Sequence, residues 1–141
     1  MEGGSTMGAG WTFPTESSRN ANRSEVELVW RALMSGEVTR EQVHEWVRDW
    51  EEGPSRVEDP MAGFALPYLH GFDLTRRSGG IDHGPPGEYV KSEGQIARDF
   101  AYWKDQCRQH DRDPAAWFQY RMELVEAEVR EYRRQRREKG R

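Results

Sequence analysis

Apolar residues recur at helical spacing in five stretches of the chain, and the intervals between them hold helix starts and stops. Val26, Val29, Trp30 and Leu33 form the first. The run SEVE sets Ser24 as a cap three residues ahead of Glu27, the pairing that satisfies free amides reciprocally. Gly36 follows as a stop. Thr39 caps a second helix, with Val43, Trp46, Val47 and Trp50 on one side and Gly53-Pro54 at its end. A third begins at Asp59-Pro60, where a proline at the first helical position costs no hydrogen bond. Phe64, Ala65, Tyr68 and Leu69 are its predicted buried side, and Pro67 should kink or shorten it. Ser92 with Gln95 opens a fourth helix, striped by Ile96, Phe100, Trp103 and Cys107 and ending near Asp111. Asp113-Pro114 opens a fifth, whose predicted core stripe is Phe118, Met122, Val125, Val129 and Tyr132.

The pattern fails elsewhere. Between the third and fourth helices, GFDLTRRSGGIDHGPPGEYV is dense in turn formers and predicts a long loop, with a short strand at Glu88 to Lys91. Loops of that length in compact domains are often functional. Residues 1–23 predict a flexible leader, with Met7 as an alternative start and Trp11 and Phe13 as a hydrophobic hook; residues 133–141 predict a basic, frayed tail. The expected fold is therefore all-α: a single-domain bundle of about five helices over residues 24–132, with one long irregular loop.

Composition supports one core. Apolar residues make up 35% of the 141 and charged residues 33%, but six Trp, five Tyr and five Phe supply large buried areas. The single cysteine, Cys107, excludes an intramolecular disulfide or a multi-cysteine zinc site. No apolar run approaches the roughly 20 residues that span a bilayer, and the first residues lack the pattern of a secretory signal. A cytoplasmic location is the resulting expectation.

Charge narrows the partners. The chain carries a net −4, yet from Arg121 to Arg141 there are eight basic and five acidic residues, so the body before them is distinctly acidic. That favours a basic protein partner over nucleic acid or membrane. The basic tail alone reads as solvated.

Candidate chemistry is sparse. His44, His70, His83 and His110 are scattered, and none has the spacing of HExxH, so they are expected at the surface with no metal and no cofactor. Cys107 lies on an apolar stripe and reads as a core residue. The glycines of SGGIDHGPPG match no phosphate-binding pattern and serve turns. The second helix is more informative. Glu41, Glu45, Asp49 and Glu52 fall together opposite Val43, Trp46, Val47 and Trp50, although like charges at i, i+4 cost a few tenths of a kcal/mol each. A stripe kept at that cost suits a cationic partner.

The runs VTREQVHEWVRDWEE, VEDPMAGFALPYLHGFDL and GEYVKSEGQIARDFAYWKDQC together resemble small bacterial proteins of the immunity type. The matching pieces are Glu45-Trp46 at a helix centre, Asp59-Pro60 at a helix start and Leu69-His70-Gly71-Phe72-Asp73 at a turn, within Thr39 to Cys107. The resemblance implies a non-enzymatic inhibitor that covers the basic site of a cognate toxin, often a nuclease. Surface charge then nominates Glu41, Glu45, Asp49 and Glu52 as contacts, with Asp73 and Asp82 on the long loop as second choices. Two other readings stand beside it. The oligomeric state, monomer or homodimer, is open, and one of the two readings is a structural or regulatory adaptor that self-associates through a second band on the last helix, Trp117, Tyr120 and Leu124. The other is a small enzyme using His83, Asp82 and His110.

Overall fold

A computed structural model describes residues 6–7, 11–14, 20–53 and 57–140. Five helices dominate: α1 (Arg23–Ser35), α2 (Arg40–Glu51), α3 (Pro60–Gly71), α4 (Glu93–Arg112) and α5 (Pro114–Lys139). The strands are short. β1 (Thr6–Met7) and β2 (Trp11–Thr12) pair antiparallel ahead of α1, and β3 (Leu74–Arg77), β4 (Gly80–His83) and β5 (Glu88–Tyr89) lie between α3 and α4. Among the described residues no helix is long and apolar enough to cross a membrane.

The helix starts follow local chemistry. Thr39 and Gln42 form the predicted capping box of α2, and Ser92 and Gln95 exchange the same bonds before α4. Asp59 and Asp113 cap α3 and α5 ahead of their prolines. The start of α1 differs from expectation. Asn22 is the cap and Glu25 its reciprocal partner, because Asn22 Oδ1 accepts from the Glu25 amide while Glu25 accepts from the Asn22 amide. Asn-x-x-Glu thus outcompetes Ser-x-x-Glu two residues later. Pro67 interrupts α3 less than predicted, and that helix continues to Gly71. Gly53 ends α2 as expected; Pro54 lies outside the described residues, as does most of the predicted leader.

The five expected helices are present, but the chain divides into two compact units where one was expected: Met1–Trp103 and Lys104–Arg141, with the division inside α4. In the first unit α2 packs along α3, and α1 packs against both. Trp30 is fully buried at the centre of that unit. Its indole stacks on Trp103, meets Phe72 and Phe100 edge-on, and donates to the Ile96 carbonyl at 3.3 Å. Trp103 donates to the Met61 carbonyl at 2.8 Å, so both buried indoles keep their N–H satisfied. The buried face of α3 is Met61, Ala62, Ala65, Leu66 and Leu69; of the predicted set, Phe64 and Tyr68 are only half-buried. Trp46, expected in the core, is likewise half-buried, stacked on Phe13, which realises half of the predicted hook.

The second unit is simpler. Trp117 is buried and donates to Gln106 Oε1 at 2.7 Å. The predicted α5 core stripe is instead exposed: Phe118, Met122, Val125, Val129 and Tyr132 are 40–60% accessible. Helix α5 also continues through the stretch expected to fray. Acid–base pairing supports it there, since Arg134 bonds both Glu131 and Glu138 one turn to either side.

Candidate metal centre

The segment predicted as a long loop is a three-stranded antiparallel sheet in the order β4-β3-β5. Ser78-Gly79 joins β3 to β4 in a two-residue turn, with Arg77 opposite Gly80 and Leu74 opposite His83. Thr75 is fully buried and its hydroxyl meets the carbonyls of Gly84 and Pro86 at 2.7 and 3.1 Å. Arg77 donates to the carbonyls of His83 and Gly84 at 3.0 and 2.7 Å. Side chains from β3 therefore hold the chain that follows β4. Arg40, almost buried, fastens the sheet to the helices: its guanidinium donates to the Phe72 and Lys91 carbonyls and lies 4.0 Å from the Tyr89 ring centroid.

This arrangement brings three histidines together. His44 comes from the second turn of α2, His70 from the end of α3, and His83 from the end of β4. Their ring centroids are 4.2–4.9 Å apart. One ring nitrogen from each lies within 4.8 Å of the others. The expectation that these histidines are scattered over the surface is thus corrected, because α2 packed on α3 and the β3–β4 turn fold remote positions onto one point.

Each ring is already oriented by an oxygen. His83 Nδ1 is 2.5 Å from Asp73 Oδ1, and His44 Nδ1 is 2.9 Å from the His70 carbonyl. A carbonyl can only accept, so His44 donates from Nδ1, and in the neutral ring Nε2 then carries a lone pair; donation to Asp73 gives neutral His83 the same arrangement. His70 Nε2 lies 2.6 Å from Glu52 Oε2, which is also 3.8 Å from His44 Nε2. The His70 hydrogen bond holds the Glu52 carboxyl below its ordinary value, against an opposing effect of desolvation. Asp73 is 3% exposed at its side chain and also stands 3.5 Å from His44 Nδ1. A buried carboxylate bonded to one imidazole and close to a second fixes ring orientation, as partners behind metal-ligating histidines do.

The nominated acidic contacts take separate roles. Glu41 accepts from the Tyr89 hydroxyl at 2.5 Å, and Glu52 serves His70. Glu45 pairs with Arg48 at 2.9 Å, and both Glu45 and Asp49 are exposed. Asp82 is exposed and accepts from the His83 amide at 2.8 Å. Asp73 is turned inward, which corrects its nomination as a partner contact. His110 belongs to the second unit, where its ring meets Trp117 and Phe118. Cys107 is buried, as expected.

No protein-family model, curated protein or solved structure matches the chain.

Proposed function

We propose that this protein binds a divalent transition-metal ion through His44, His70 and His83, with Glu52 as the fourth ligand. The observation that carries the reading is the convergence of three imidazoles, two of which, His44 and His83, already place Nδ1 against an oxygen and turn Nε2 toward the cluster. Imidazole with one carboxylate suits zinc-class ions in a tetrahedron, with metal–nitrogen distances of about 2.0–2.1 Å. Closing the cluster to that size draws together ring nitrogens that lie within 4.8 Å of one another. The ion takes the place of the proton shared by His70 and Glu52. A filled tetrahedron leaves no position for water, so the centre is a clamp joining α2, α3 and β4 rather than a catalytic site. Metal held only by the folded chain adds its binding free energy to folding.

The test is a zinc titration of the full chain with its melting temperature recorded. One equivalent should bind and raise the melting point, and affinity should fall as pH drops, because only neutral imidazole ligates. His83→Ala and Glu52→Gln should each weaken binding. A melting temperature unmoved by zinc, or variants that bind as tightly as the parent, would overturn the assignment.

Glu45 and Asp49 favour a second reading, because both are exposed on α2. On it the protein is a non-enzymatic inhibitor of a basic partner, such as a toxin or nuclease, and the metal clamp holds α2 in place. Reversing both residues to Lys should then abolish capture of that partner while leaving zinc binding intact.

A further inference from the structure

We propose that the protein forms a parallel, in-register dimer through α5, a conclusion independent of the metal centre. Phe118, Met122, Val125, Val129 and Tyr132 are spaced 4, 3, 4 and 3 residues apart, the a/d repeat of a coiled-coil seam, and all five are exposed in the single chain. Among the described residues of the second unit, nothing is long enough to cover them. Its share of α4 is Lys104–Arg112, whereas α5 runs 26 residues, or about 39 Å at 1.5 Å per residue.

The flanking charges select the occupant and its direction. With Met122 and Val129 at a, Arg121 and Glu128 fall at g, and Glu126 and Arg133 at e. In a parallel pair, g of one helix faces e five residues later on the other. Arg121 then faces Glu126 and Glu128 faces Arg133, and two-fold symmetry repeats both pairs. All four flanking charges are matched by a second copy of the same helix. Antiparallel pairing sets e against e and g against g. Layering Met122 on Val125 matches Arg121 with Glu128 but leaves Arg133 without an acid; shifting by a heptad opposes Glu128 to Glu128 or Arg121 to Arg121.

The outer face agrees independently. Glu131, Arg134 and Glu138 occupy c and f positions, away from the seam, and there they pair within their own helix. The seam differs from the band of Trp117, Tyr120 and Leu124 expected to self-associate. Trp117 is buried within its unit, and Tyr120 and Leu124 lie at f and c.

Sedimentation equilibrium of the full chain over a range of concentrations tests the pairing. A reversible dimer is expected, and Val125→Glu with Val129→Glu should raise its dissociation constant by at least about tenfold. Both sites are exposed, so the variant should keep the parent's melting profile at low concentration. Glu128→Arg should weaken the dimer and added Arg133→Glu restore it. Under a mild thiol oxidant, Tyr132→Cys should form a disulfide with the same position of the second copy, which the antiparallel registers above would hold at least about two and a half turns away. A monomer at every concentration, or a dimer indifferent to the seam variant, would overturn the proposal. Failure of the Tyr132→Cys variant to cross-link in a seam-dependent dimer would overturn the parallel arrangement.

Discussion

At the scale of single residues, polar groups that look like surface decoration in the sequence hold the structure together. Glu41 is one. It falls on a solvent-facing acidic stripe, yet it accepts from Tyr89, and that bond, with partial burial, pushes the phenol up to about 12. A folded value raised above the unfolded one, about 10, means that the contact stabilises the fold below pH 10 and is lost as pH rises through 12. In an ultraviolet titration of the phenolates, one tyrosine should ionise last, and Tyr89→Phe should remove that component. Glu41→Gln should return it toward the ordinary range; an unchanged late component in either variant would show that another tyrosine is responsible. Arg40 and Asp73 are comparable cases, charged in the sequence and almost buried in the fold. Neither role was legible, because their partners are backbone carbonyls and histidines remote along the chain.

At the scale of elements, what the sequence encodes locally is what could be read from it. Thr39, Asp59, Ser92 and Asp113 cap the helices predicted from them, since a cap needs only the next three residues. At Asp59 burial alone would raise the carboxyl, but the Arg23 hydrogen bond and the amides of Met61 and Ala62 outweigh it and lower it. The sheet was missed for a different reason. Gly and Pro dominate its segment, and three very short strands give little alternation. The usable signal was the two-residue Ser78-Gly79 link between LTRR and GIDH. Gly87 is the residue on which the third strand depends. Its φ is +115°, and an added Cβ would press into the Arg76 carbonyl and stand 3.2 Å from Thr75 Cβ. Gly87→Ala should therefore cost about 1–3 kcal/mol or more in chemical denaturation. A variant as stable as the parent would show that β5 can leave the sheet freely.

At the scale of the whole molecule, periodicity located helices but not what they face. The α5 stripe carries a clear repeat, and the sequence alone could not say whether its partner was the chain's own core or another chain. The histidine cluster is the stronger example. His44, His70 and His83 are 26 and 13 residues apart, spacings that match no ligand motif, and only the packing of α2 on α3 with the turn from β3 to β4 makes them neighbours. Asp73 and Glu52, nominated as partner contacts from charge, are the carboxylates that hydrogen-bond to that cluster. Metal uptake by the three imidazoles is the purpose we propose for this constellation. The most direct measurement is the visible spectrum of the full chain titrated with cobalt(II). Saturation at one equivalent with the intense bands of four-coordinate cobalt, displaced by zinc and absent in His83→Ala, is the predicted result. Weak six-coordinate bands that grow without saturating, or the same spectrum from His83→Ala, would contradict it.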